Sequence, residues 1–380
     1  MRGGELQRFF LPLLREHAKA VRPGARVLDL GYYDPAGAVW AATEVGDAGS
    51  VLALRPALDL ASELERAARD GGVSGVLSVR LGDELSAGEA GTFDAALVLA
   101  PFFLGNAVVR RAVRVAAAGL SPTGVMYLQV HRSHGGPTYV RFAGEVFGEV
   151  EMVGMGGGQR RLYVCRGPQV AEVSGAEAAP GGQVVELAAR GATLRFRLTG
   201  GVFAARGIDP ASRLLVNTAT VPAGGRVLDV GCGAGVIGLT FAAADRRASV
   251  VCVDVSTAAV ALTKENAEAN ELRNVEVRLS DGYEAVKGER FDTILSNLPA
   301  HRGMEQDTAA AERFIGQAPL YLREGGELWV VANKALPYEL PASRAFRSVQ
   351  VVTADGRYKV LQCKGARVGR RPSEGSGQRR

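Results

Sequence analysis

A chain of 380 residues is longer than one average domain and comfortable for two, each large enough to bury a core. Its 47% apolar and 22% charged residues are ordinary for a soluble globular protein, and no apolar run approaches the roughly 20 residues of a membrane span, so none is expected. The net charge of +5 invites a nucleic-acid partner, but five arginines against one glutamate lie in GARVGRRPSEGSGQRR from Gly365, and the remainder is close to neutral.

Taken in chain order, MRGGELQRFFLPLLREHAKAVRPG mixes charges into its apolar residues and carries no small-residue cleavage site, so a cytoplasmic protein without a signal peptide is expected. RVLDLG from Arg26, SVLALR from Ser50 and TFDAALVLAP from Thr92 then read as short buried strands separated by helical stretches. AEVSGAEAAPGGQ from Ala171, rich in Gly, Ala and Pro, reads as a linker, and VVELAARGATLRFRLTGGVF alternates as a small strand pair. The second half repeats the first: VPAGGRVLDVG from Val221 matches VRPGARVLDLG from Val21. SVVCVD from Ser249 matches SVLALR, RFDTILSNLP from Arg290 matches TFDAALVLAP, and CKG from Cys363 matches CRG from Cys165. Four matches in one order at a near-constant offset indicate an internal duplication.

The βαβα rhythm of each copy predicts an α/β fold of two tandem, doubly wound, Rossmann-like domains. The boundaries expected are 1–167 for a degenerate first copy, 168–199 for the linker and strand pair, 200–365 for the second copy, and 366–380 for a basic, disordered tail. Cys165, Cys232, Cys252 and Cys363 lie far apart with no C-x-x-C pair, so reduced, buried thiols are expected and no metal site.

Chemistry concentrates in the second copy. Asp229 ends a strand and is followed by Gly231, Cys232, Gly233, Ala234 and Gly235, a turn that opens a helix, where glycines let backbone donors approach a ligand. Gly233, Gly235 and Gly238 also satisfy the dinucleotide fingerprint G-x-G-x-x-G, and Asp254 at the end of the next strand suits a ribose diol under either reading. The order Asp-Val-Gly-Cys-Gly resembles S-adenosyl-L-methionine sites, in which the acid helps hold the amino-acid end of the cofactor. Asp281 in RLSDGY stands where an acid or its neighbouring amide reaches the adenine, and SNLP from Ser296, directly after a predicted fourth strand, occupies the reaction-centre position, which a dehydrogenase would leave unexplained.

From Gly201 to Lys364 the segments GVFAARGIDPASRLLV, RVLDVGCGAGVIGLTFA, DVSTAAVALTKENAEAN, FDTILSNLPAHRGM and GGELWVVANKALPYE resemble the small-domain methyltransferases, above all the bacterial enzymes that make N2-methylguanine in 16S rRNA. Those enzymes are themselves tandem duplications with a degenerate first copy. The resemblance implies a cofactor, S-adenosyl-L-methionine, held by Asp229, Gly231, Gly233, Gly235, Asp254, Val255, Asp281 and Asn297. It implies a catalytic Asn297, Leu298 and Pro299, a substrate pocket with Phe203, Asp209 and His301, and ribosomal RNA or the small ribosomal subunit as partner of a monomer. Phe203 and Asp209 also read as a packing aromatic and a helix cap before Pro210, and His301 as a turn residue bonding the backbone.

An exocyclic amine is a poor nucleophile because its lone pair is delocalised into the base. The site therefore has to position and rehybridise it rather than supply strong base chemistry. In N-P-P-F sites the asparagine side-chain oxygen and the next carbonyl accept from the amine. Here Asn297 supplies the first acceptor, Leu298 the second, and Pro299 stiffens the turn. Ala300 replaces the stacking ring, worth ~1 to 3 kcal/mol, and His301 is the candidate substitute.

In the first copy Asp29 persists, but GYYDPAG from Gly31 replaces the glycine turn, Arg55 stands at the position of Asp254, and Leu99 at that of Asn297. That copy is expected to be a non-catalytic scaffold. Arg110, Arg111 and Arg114 read either as a phosphate grip or as a solvated helix face. Three function classes follow: an rRNA guanine-N2 methyltransferase, a methyltransferase for another amino group such as adenine N6 or a protein glutamine, and a non-catalytic cofactor- or RNA-binding protein.

Overall fold

The computed structural model describes residues 11–32, 35–100, 105–169, 182–202, 207–298 and 308–367. The first half folds around strands β1 (Arg26–Leu30), β2 (Ser50–Arg55), β3 (Leu77–Leu81), β4 (Phe93–Leu99), β5 (Leu120–His131), β6 (Phe147–Gly156) and β7 (Arg160–Pro168). A hairpin of β8 (Gln183–Ala189) and β9 (Ala192–Leu198) follows, and the second half repeats the set as β10 (Arg226–Val230), β11 (Ser249–Asp254), β12 (Val275–Leu279), β13 (Phe291–Asn297), β14 (Leu322–Asn333), β15 (Phe346–Ala354) and β16 (Tyr358–Ala366). The two seven-stranded sheets have one order, β3-β2-β1-β4-β5-β7-β6 and β12-β11-β10-β13-β14-β16-β15. In each, six strands run in one direction, and a single strand, β7 or β16, inserted between the last two, runs against them. The fold is thus a tandem pair of Rossmann-like α/β units, as the duplicated sequence implies.

The central strands are apolar on both faces because helices cover both. Leu228 and Val230 pack into one cluster with Ile294 and Val330, while Val227 turns to the other with Leu295 and Val331. Leu28 and Leu30 against Val27 divide in the same way in the first half. In the second sheet the order reverses direction between β10 and β13, which opens a crevice at the carboxyl ends of these strands, the place where open α/β sheets bind ligands.

The halves meet through equivalent turns. The Leu58 N–H donates to the Val255 carbonyl at 3.0 Å, the Thr257 N–H donates to the Pro56 carbonyl at 3.0 Å, and Ala57 bridges antiparallel to Ser256. Each turn links its second strand to the next helix, Leu58–Asp70 or Thr257–Ala269, so the contact is self-complementary in the manner of a two-fold interface. Gly200 and Gly201 run against the first half as well: a Cβ on Gly200 would stand 2.5 Å from the Ala107 Cβ, and one on Gly201 2.9 Å from Val108 Cγ2.

Candidate active site

In the first half the position equivalent to that of Asp254 holds an arginine turned inward. Arg55 Nη2 donates to Asp29 Oδ2 at 2.6 Å, and Nη1 to the Leu54 carbonyl at 3.0 Å. Tyr32 is buried in the core beside Leu28 and Leu30. Leu11, Leu14, Leu99 and Gln129 line what concavity remains beside Asp29. The basic helix Asn106–Gly119 is neutralised internally, Arg110 by Glu145 and Arg111 by Asp83 and Glu84. The solvated-face reading of that cluster fits these pairs better than a phosphate grip.

In the second half Asp229, at the end of β10, is fully buried. Its Oδ2 accepts from the Gly238 N–H at 2.8 Å, and its Oδ1 has no partner among the described residues. Burial pushes its pKa up to about 7, opposed by the Gly238 N–H and reinforced by Asp254. A Cβ on Gly238 would fall 2.5 Å from Cys252 Sγ and 3.0 Å from Asp229 Oδ2, so this glycine permits the close helix–strand contact.

Asp254 ends β11. Its Oδ2 accepts from the Gly233 N–H and its Oδ1 from the Ser256 N–H, both at 2.9 Å. Burial raises its pKa, partly offset by the Ser256, Gly233 and Val255 amides, while Asp59 of the first half adds to the rise. Gly231, Gly233 and Gly235 have φ of 72°, 57° and 82°, the left-handed region, and Gly235 caps the helix Val236–Ala244. Thr263 Oγ1 donates to the Gly233 carbonyl at 2.8 Å, and Asn266 Nδ2 to the Ala234 carbonyl at 2.9 Å. The turn is strapped to the neighbouring helix by two side chains the motif does not contain. Cys232 and Cys252 are buried free thiols, as are Cys165 and Cys363; a hydrogen bond to Cys252 and burial hold the Cys232 thiol well above its ordinary range.

Ser296 and Asn297 lie within β13 rather than after it, because β14 continues alongside them, pairing with Val330 and Val331. Ser296 Oγ donates to the Val230 carbonyl at 2.8 Å, and the Leu298 N–H to the Val331 carbonyl at 3.1 Å. Asn297 Nδ2 donates to Asp209 Oδ2 at 2.8 Å and to Ser212 Oγ at 3.0 Å. Asp209 also caps the helix Pro210–Thr218 through the Ser212 N–H. It therefore fulfils the helix-cap reading and stands beside Asn297 at once. Asp281, after β12, is exposed. The Val255 carbonyl is engaged by Leu58 of the first half. Phe203, Pro299, Ala300 and His301 lie outside the described residues.

Asp229, Asp254 and Asn297 thus end three neighbouring strands around the crevice between β10 and β13. The family profile of the methyltransferase small domain matches residues 193–362. Among curated proteins, the ribosomal RNA small subunit methyltransferase C of Hamiltonella defensa is 40% identical over 162 residues, 43% of this chain and 48% of that protein. Its namesake in Escherichia coli is 41% identical over 162 residues, 43% of this chain and 47% of that protein. The chain spans about half the length of the curated relatives it matches. A solved T. thermophilus 16S rRNA N2 methyltransferase, in complex with AdoMet and guanosine, is 28% identical and superposes with a TM-score of 0.75, covering 90% of this chain and 88% of that one. That coverage extends beyond the segment matched by the family profile into the first half.

The buried, unpartnered Asp229 Oδ1 fits a ligand cation, and the Asp254 carboxylate, held by two backbone donors, keeps lone pairs for hydroxyls. Ser212, Thr263 and Asn266 were not signalled by any motif. Their sequence distances from their partners, 85 residues for Ser212 and Asn297, hide the contacts from local patterns.

Proposed function

We propose that the chain is an S-adenosyl-L-methionine-dependent methyltransferase that modifies the exocyclic N2 amine of a guanine in 16S rRNA, with residues 200–365 as its catalytic domain. The observation that carries this reading is the placement of the Asn297 amide at the sheet's reversal point, one strand from the buried Asp229 and two from Asp254. The T. thermophilus enzyme described as acting on 16S rRNA, and solved with AdoMet and guanosine, supports the choice of cofactor and base.

When bound, the cofactor supplies an electrophilic methyl group that needs no activation. The chain's own residues do the rest. Asp229 offers its free oxygen to the ammonium end, and Asp254 receives the ribose hydroxyls. Gly231, Gly233 and Gly235 keep the turn free of side chains, Val255 adjoins the ribose acid, and Asp281 serves the adenine edge. Asn297 Oδ1 and the Leu298 carbonyl accept from the amine and draw its lone pair out of conjugation, while Pro299, Phe203, Asp209 and His301 frame the base. Ribosomal RNA or the small subunit is the partner, and the chain acts as a cytoplasmic monomer.

The test is isothermal titration with S-adenosyl-L-methionine, followed by mass spectrometry of nucleosides from 16S rRNA incubated with the protein. Micromolar binding and a new N2-methylguanine are expected. Binding without transfer would favour the non-catalytic class, and a methyl group on another amine the second class.

A further inference from the structure

An asparagine amide has an acceptor end and a donor end of nearly equal shape, and only its partners decide which end faces a ligand. At Asn297 the decision is made by Asp209, whose carboxylate can only accept. Its Oδ2 lies 2.8 Å from Asn297 Nδ2. Ser212 Oγ lies 3.0 Å from the same nitrogen, and its own proton is directed to Asp209 Oδ2 at 3.3 Å, so it presents a lone pair to the amide. Two acceptors on one side fix the NH2 group toward the helix and leave Oδ1 on the opposite side. Turning the amide over would set Oδ1 against a carboxylate oxygen.

The pair is itself rigid. Asp209 is the N-cap of the helix Pro210–Thr218, with Pro210 at its first position, and the Ser212 N–H returns to Asp209 Oδ2 at 2.9 Å. Ser212 is 7% exposed.

We propose that Asp209 and Ser212 are positioning residues that lock the Asn297 amide with its oxygen toward the target, so that the site selects a substrate edge that donates, an amine, over one that accepts, a carbonyl. The inference rests on the reading of Asn297 as the amine acceptor. Neither Asp209 nor Ser212 has to touch the reacting atoms for it to hold.

Asp209→Asn is the discriminating variant, because asparagine caps a helix about as well as aspartate. A purely structural Asp209 predicts unchanged transfer. The lock predicts an unchanged thermal midpoint and cofactor affinity with kcat lowered roughly tenfold or more, since the Asn297 amide can then bond in either orientation. Asn297→Asp alone sets two carboxylates against each other and should be inactive. The double variant Asp209→Asn/Asn297→Asp restores one donor facing one acceptor and should recover activity over Asn297→Asp. Full activity of Asp209→Asn, or a double variant no better than Asn297→Asp, would overturn the lock.

A substrate-independent readout separates this from the function itself. In protein labelled with 15N-asparagine, the Asn297 NH2 protons should be shifted downfield and slow to exchange, and both properties should vanish in Asp209→Ala. If the wild type transfers nothing to rRNA yet the NMR signature is present, the functional reading fails and the lock stands. A fast-exchanging, unshifted amide in the wild type sinks the lock.

Discussion

Arg55 donates to Asp29 at 2.6 Å with both side chains 2% exposed, at the positions where the second half carries Asp254 and Asp229. One copy buries a carboxylate beside a second carboxylate, the other a carboxylate beside a guanidinium. The arginine thus fills the space beside Asp29 and stands where the second half has an acid. Deleting one partner of a buried ion pair leaves the other charge uncompensated, at a cost of about 3 to 5 kcal/mol, whereas replacing both by apolar groups is often neutral or better. Arg55→Leu should therefore unfold at much lower urea than the wild type, and Arg55→Leu/Asp29→Leu should recover most of the loss. Equal destabilisation by the single and double variants in chemical denaturation would refute this account.

Among the described residues of the second half no guanidinium pairs with Asp229, and the consequence is a pH dependence. Burial lifts Asp229 to about 7. A carboxyl with a raised folded-state pKa stabilises the free protein most in acid, and that contribution is lost as pH rises from the ordinary carboxylate range through about 7. A cationic ligand group requires the ionised form. Cofactor affinity should thus strengthen by up to about tenfold per unit as pH rises toward 7 and level off above it. Calorimetric titrations across this range should show the trend, and Asp229→Asn should flatten it while weakening binding throughout. A flat profile in the wild type would remove Asp229 from the cofactor site.

The duplicated strands, the glycine turn and the acids that end β10 and β11 were legible in the sequence because each is a local pattern: apolar runs, closely spaced glycines, a polar residue closing an apolar strand. SNLP was legible as a motif but its secondary structure was not. Asn297 belongs to β13 only because β14 extends to Val331 beside it, a pairing that no window around Asn297 contains. Arg55 was readable as a substitution, whereas its inward turn to Asp29 depends on the register of β1 and β2, which pairs Asp29 with Ala53 two residues before it. The contacts of Ser212, Thr263 and Asn266 were unreadable for the same reason: a serine, a threonine and an asparagine on helices carry no periodic signal, and their meaning comes from distant partners.

The turn-to-turn contact between the halves predicts a coupling that one substitution isolates. Leu58 is the first residue of its helix, and Ala57 before it has φ −143° and ψ 147°, a conformation that a following proline accepts. Leu58→Pro therefore deletes the N–H that donates to the Val255 carbonyl without disturbing the helix. Val255 follows Asp254, so loosening this bond should lower stability by about 1 kcal/mol and weaken cofactor binding by up to roughly fivefold. An unchanged melting midpoint together with an unchanged dissociation constant would mean that the two halves merely touch.

Asn266 joins the hairpin to the glycine turn. Its Oδ1 accepts from the Arg197 N–H at 2.8 Å, and its Nδ2 donates to the Arg197 carbonyl at 3.0 Å and to the Ala234 carbonyl at 2.9 Å, at 1% exposure. One side chain thus pairs the edge of β9 as a strand would and steadies the glycine turn. Asn266→Ala loses these bonds and should cost about 1 to 3 kcal/mol. Asn266→Asp keeps the shape but sets a carboxylate oxygen against two carbonyls, so it should be the more damaging of the two despite being the smaller chemical change. Thermal unfolding should rank the wild type above Asn266→Ala and that above Asn266→Asp, and amide exchange at Arg197 should quicken in both. If the order of the two variants were reversed, the donor role of Nδ2 toward the Ala234 carbonyl would be wrong, and the turn would be held by its glycines and Thr263 alone.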